Sequence, residues 1–147
     1  TPSAVTISDM LADEVDFFSV GTNDLVQYLL AVDRINNEIS YLYEPHHPAV
    51  IRAIEQIARV SKEKNIEVTL CGEIAGDPHF LPLLIGLGVD ALSATSTMLP
   101  ELKFFGRRFT MAEVHELRSK IMEMRRPSEI KECLKSFYEE RVSELII

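Results

Sequence analysis

The stretch Asp16-Phe17-Phe18-Ser19-Val20-Gly21-Thr22-Asn23-Asp24 decides the fold. An apolar run rich in aromatic and β-branched residues stops abruptly at Gly-Thr-Asn-Asp. This is the pattern of a buried parallel strand that delivers polar groups to the end of a sheet. Asn and Asp close the strand, and Leu25, Val26, Tyr28, Leu29 and Leu30 continue as a helix to Ala31. Strand, polar turn and helix N-terminus together can hold a cation through Asp24 and a phosphate through Asn23 with nearby backbone N–H groups. Taken alone, Asn-Asp is equally a turn that caps the helix.

Upstream, Thr1-Pro2-Ser3-Ala4-Val5 reads as a helix start, with apolar Val5, Ile7, Met10, Leu11 and Val15 following at roughly helical spacing. With no initiator Met, the chain is expected to be a piece that begins just after a strand. Downstream, Ile35 to Pro48 is a loop rich in Asn, Tyr, His and Pro, long for a helix-to-helix connection. Pro48 then opens a helix whose stripe is Val50, Ile51, Ile54, Ile57 and Ala58, with Arg52, Glu55, Gln56 and Arg59 outward.

A second strand, Ile66 to Cys71, also ends in a polar cluster, Gly72-Glu73-Ile74-Ala75-Gly76-Asp77. Asp77-Pro78 has the form of an N-cap followed by a first-turn proline, so a helix is expected there, ending at Gly86 or Gly88. Val89 to Ser93 is a short third strand. Alternating strands and helices predict a parallel α/β architecture. Beyond Thr97 only helix and connecting loop are expected. Thr110-Met111-Ala112-Glu113 is a capping box, Arg126-Pro127 breaks the helix it opens, and a last helix carries Ile130, Leu134, Phe137, Tyr138 and Val142.

The bulk properties narrow the function classes. The 147 residues suit one domain, and 46% hydrophobic with 26% charged residues is the balance of a water-soluble globular chain. A net charge of -8 argues against a nucleic-acid surface. No apolar run approaches the length of a membrane span, so no membrane insertion is expected. Cys71 and Cys133 fit neither a metal knuckle nor a disulfide framework, and a reducing cytoplasm is the natural setting. Both polar turns should face one pocket at the carboxyl ends of the strands. Singly, Cys71 reads as a small buried hydrophobe and Arg34 as a surface charge; their order along the chain is what singles them out.

In that order, Asp16 to Leu25, Leu30-Ala31-Val32-Asp33-Arg34 and Cys71 to Asp77 closely resemble enzyme I of the bacterial sugar phosphotransferase system. Pyruvate phosphate dikinase and phosphoenolpyruvate synthase are similar at the Gly-Thr-Asn-Asp turn and the Cys-Gly pair. The resemblance implies a phosphoenolpyruvate-binding (β/α)₈ barrel. Residues 1–109 would be its last three strand-helix units, and 110–147 a C-terminal helical segment of the same domain. It further implies Mg²⁺ held by Asp24 and by a Glu lying before Thr1, phosphoryl contacts from Asn23, Asp24 and Arg34, and Cys71 as the acid that protonates the enolate. The phosphorylated His and the contact with a histidine-containing phosphocarrier protein would lie in another domain, and the assembly would be a homodimer. Ser93-Ala94-Thr95-Ser96 matches the family's last strand imperfectly.

The implied roles suit the chemistry. Phosphoryl transfer from phosphoenolpyruvate to a His needs mainly positioning and charge neutralisation, which a cation on Asp24 and the Arg34 guanidinium would supply. The departing enolate must be protonated at carbon, and a thiol can serve there. His46 and His47 invite consideration as phosphate acceptors, but a Pro-flanked loop His is commonly just surface. Two other functions compete: the corresponding domain of a dikinase or synthase, and a non-catalytic dimerisation module.

Overall fold

A computed structural model describes residues 1–142. Its frame is a parallel three-stranded sheet in the order β1-β2-β3, with β1 Phe17–Gly21, β2 Glu67–Cys71 and β3 Ala91–Leu92. The helices are α1 Pro2–Thr6, α2 Ser8–Leu11, α3 Thr22–Leu30, α4 Pro48–Lys64, α5 Glu73–Gly76, α6 Leu81–Leu87, α7 Leu99–Phe105, α8 Met111–Glu123 and α9 Pro127–Val142. A 3-10 turn, Ser40–Leu42, interrupts the long loop before α4.

Register explains how the sheet is used. Phe18 pairs with Val68 and Val20 with Leu70. This parity faces the helices: Val68 and Leu70 are buried, and Phe18 and Val20 pack against the same core. The opposite parity carries Phe17, Ser19 and Gly21, paired with Glu67, Thr69 and Cys71. Phe17 is 60% exposed. Among the described residues the strand expected to be buried is therefore covered on one face only, and it is an edge strand paired with β2.

The helices follow their sequence signals in most places. Pro48 begins α4, and His47 caps it, its Nδ1 accepting from the Ala49 N–H at 3.1 Å. The expected stripe is buried, and α4 ends where Asn65 turns left-handed. Gln56, on the outward side, donates to the Val5 carbonyl at 2.8 Å and ties α1 to α4. Gly88, at φ 92°, stops α6. The Thr110–Glu113 capping box is present, and Val114, Leu117 and Ile121 are buried below it. On the far side Phe105 of α7 packs with Phe109, Phe137 and Tyr138, which seats α9 against the rest.

Three local expectations are corrected. Helix α3 begins at Thr22, so Asn23 and Asp24 belong to its first turn and do not extend the strand. Asp77-Pro78 does not open a helix; α6 starts at Leu81, with Pro82 in its first turn. The Asp77 carboxylate accepts instead from the His79 N–H at 2.9 Å, closing a local turn after α5. The N-terminal helix is split into α1 and α2, where Ile7 ends one and precedes the other.

Candidate functional site

The carboxyl ends of β1 and β2 are adjacent because Gly21 and Cys71 are register partners. Thr22, fully buried, donates its hydroxyl to the Cys71 carbonyl at 2.7 Å and locks the start of α3 onto the end of β2. Gly72 makes that approach possible. At φ 96° it occupies backbone space that L side chains rarely enter, and a Cβ there would lie 2.5 Å from Thr22 Oγ1 and 2.9 Å from Asn23 Oδ1. The close approach that Gly72 permits is thus between two elements of the protein itself.

An open depression of about 770 Å³ lies over these strand ends, walled by Asn23, Cys71, Gly72, Glu73, Asp77 and Ser93 among others. Both polar turns contribute to it. The Cys71 thiol is half-buried on the uncovered face and donates weakly to the Val20 carbonyl at 3.5 Å. Asn23 Oδ1 accepts from the Glu73 N–H at 3.0 Å. Arg34 does not wall the depression, but its Nη1 stands 3.6 Å from the carboxylate of Glu73, which does. Asp24 is exposed on the first turn of α3, a favourable place for a carboxylate near the helix N-terminus.

Sequence reasoning missed Thr22, Tyr43 and the role of Glu73. The Tyr43 hydroxyl donates to the Asn23 carbonyl at 3.3 Å, folding the long loop over α3. Burial, and then the negative charge of Glu73, push the Tyr43 hydroxyl's pKa up, so it stays a donor. The dense Asn-Tyr-His-Pro composition of that loop was the available signal. Ser93, Ala94 and Thr95 also line the depression, and the Ser93 N–H donates to the Leu70 carbonyl at 2.8 Å.

His46 and His47 are both half-buried. His46 stacks on Phe80 and sits 2.8 Å from Glu44 Oε1, while His47 is the cap of α4. Burial opposes ionisation of Glu44, but its hydrogen bonds with His46 prevail and hold the carboxyl below its usual value. Cys133, on α9, is a half-buried boundary residue whose thiol is pushed up by burial. Another depression, of about 680 Å³, runs between α8 and α9 past Cys133 and Arg141, away from the strand ends.

Among the described residues no group of three His, Cys, Asp or Glu side chains could by itself hold a metal. Mg²⁺ nevertheless needs only one or two protein carboxylates, completing its shell with water and substrate phosphate oxygens. Asp24, exposed beside the first turn of α3, fits one such ligand and no more.

A family model described as PEP-utilising enzyme, PEP-binding domain, matches residues 1–111. The chain therefore belongs to that family of phosphoenolpyruvate-utilising enzymes. It is 43% identical over 137 residues to the phosphoenolpyruvate-protein phosphotransferase of Buchnera aphidicola subsp. Schizaphis graminum. Identity to the proteins of that name is 39% over 137 residues in Priestia megaterium and 40% over 129 in Bacillus subtilis. These alignments cover 93%, 93% and 88% of this chain but 24%, 24% and 23% of the relatives. The chain spans about a quarter of the length of the curated relatives it matches. No helix among the described residues is long and apolar enough to cross a membrane.

Proposed function

We propose that this chain is the phosphoenolpyruvate-binding part of a phosphotransferase that moves phosphate from phosphoenolpyruvate to a histidine and on to a histidine-containing phosphocarrier protein for sugar uptake. The observation that carries it is the convergence of Asn23, Cys71 and Glu73 on one depression at the strand ends, with Arg34 Nη1 standing 3.6 Å from the Glu73 carboxylate. The one-sided sheet supports a (β/α)₈ barrel: helices cover the Val68–Leu70 face, and the other parity, with Cys71, would look into the barrel. The parent protein would work as a cytoplasmic homodimer.

In this reading Asn23 and Arg34 bind the phosphoryl group, and Arg34 neutralises part of its charge. Asp24 would hold Mg²⁺, which supplies further charge neutralisation at the phosphoryl oxygens. Cys71 gives its thiol proton to the enolate carbon and forms pyruvate as the phosphoryl group leaves for the histidine.

The test is phosphate transfer from phosphoenolpyruvate to the carrier protein by the full-length parent. Wild type should transfer, and Asp24→Ala should abolish Mg²⁺-dependent transfer with the fold intact, because the side chain is exposed and contributes little packing. Transfer to a nucleotide in place of the carrier would assign a dikinase or synthase. An Asp24→Ala variant that unfolds would reduce Asp24 to a helix-capping role.

A further inference from the structure

Glu73 touches both groups assigned to the phosphoryl site. Its main-chain N–H donates to Asn23 Oδ1 at 3.0 Å, and its carboxylate Oε1 lies 3.6 Å from Arg34 Nη1. We propose that Glu73 is the positioning residue of the anion site: it turns the Asn23 amide so that its NH₂ group is left for the phosphoryl oxygens, and it steadies one edge of the Arg34 guanidinium while the other N–H groups stay free. The inference rests on the phosphoenolpyruvate reading above.

The Asn23 half follows from donor chemistry. A main-chain N–H can only donate, so the amide atom facing it must be the oxygen, and the NH₂ group points elsewhere. A phosphoryl group only accepts, so this is the orientation it needs. Tyr43 secures the same residue from the other side through the Asn23 carbonyl. Flipping the amide would set an N–H against the Glu73 N–H and an oxygen against the ligand.

The Arg34 half follows from geometry and exposure. Glu73 is the ion partner recorded for Arg34 among the described residues, and the side chains are 38% and 71% exposed. Such a pair adds little to folding stability. Its effect is to restrict a long side chain before the ligand arrives, which lowers the ordering cost of binding. A guanidinium has five N–H donors, so one contact at Nη1 leaves a fork for a phosphoryl group.

The experiment is a double-mutant cycle in the full-length parent, reading phosphoenolpyruvate affinity by titration calorimetry and melting temperature in parallel. Glu73→Ala should weaken binding about three- to tenfold, the cost of leaving one such side chain unrestrained. In an Arg34→Ala background the same change should do nothing further. Glu73→Gln, whose amide oxygen still accepts from the guanidinium, should recover part of the loss, and the melting temperature should not move. Asn23→Asp keeps an acceptor for the Glu73 N–H but deletes the NH₂ group, and should weaken binding by roughly tenfold or more. Equal losses in both Arg34 backgrounds, or a Glu73→Ala variant that binds as tightly as wild type or tighter, would overturn the Arg34 half. Unchanged binding by Asn23→Asp would overturn the Asn23 half. A wild-type parent that does not bind phosphoenolpyruvate would overturn the parent reading and this one together, a result distinct from the others.

Discussion

Replacing Gly72 by Ala tests the construction of the site at its tightest point. The residue sits at φ 96°, ψ -170°, a region that is essentially glycine-only and costs other residues about 1–3 kcal/mol. Its new Cβ would also lie 2.5 Å from Thr22 Oγ1, inside any tolerable contact. Thr22 is buried and spends its hydroxyl on the Cys71 carbonyl, so displacing it adds about 1–3 kcal/mol for a buried group left unpaired. Together the change should cost about 2–6 kcal/mol. Gly21 is the internal control. It has φ -78° and nothing within 4 Å of a built Cβ, so Gly21→Ala should stay within about 0.5 kcal/mol of wild type. Urea unfolding of the parent, followed by hydrogen exchange at the β2 amides, reads both variants. If Gly72→Ala matches Gly21→Ala in stability, the packing of α3 onto β2 is looser than the geometry implies and the reasoning fails.

Two further outcomes follow from single side chains. Cys71→Ala should slow ketonisation of the enolate, read as solvent deuterium entering the pyruvate methyl, while phosphohistidine formation proceeds; an equal fall in both rates would make Cys71 a binding or packing residue. Glu113 is held down to about 2, from an ordinary 4.5, first by the Thr110 backbone N–H and then by Arg141 and the Thr110 hydroxyl. A carboxylate with a lowered folded-state pKa stabilises fully above 4.5 and loses its contribution as the pH falls towards about 2. Glu113→Gln should therefore flatten the fall of melting temperature across that window, and an unchanged slope would refute it.

What the sequence made legible was local. Pro48 with its stripe defined α4, and the Thr110–Glu113 box defined the start of α8, because each signal acts within a turn or two of itself. Asp77-Pro78 misled because Asp serves two local structures equally well. An Asp before a proline can cap a helix or close a turn, and the preceding α5 took the chain into a turn. The site divides in the same way. Asn23 and Cys71 were visible as the polar ends of apolar runs. The bond from the Glu73 N–H to Asn23 and the reach of Tyr43 to the Asn23 carbonyl join residues distant in sequence, and no periodicity announces them.

The availability of the Cys71 thiol is in the end a question of register. In β2 the buried positions are Val68 and Leu70, 1% and 0% exposed, and Cys71 takes the opposite parity. Side chains alternate strictly along a strand, so a slip of one residue would turn Cys71 towards the helices and Val68 and Leu70 away from them. Burying each of those two side chains contributes about 1.5–3 kcal/mol, which holds the strand against that slip. The Thr22 hydroxyl on the Cys71 carbonyl fixes the same register from the neighbouring element. The apolar residues before Cys71 therefore do more than build a core: their burial is the force that keeps the thiol on the open face, beside Asn23 and Glu73.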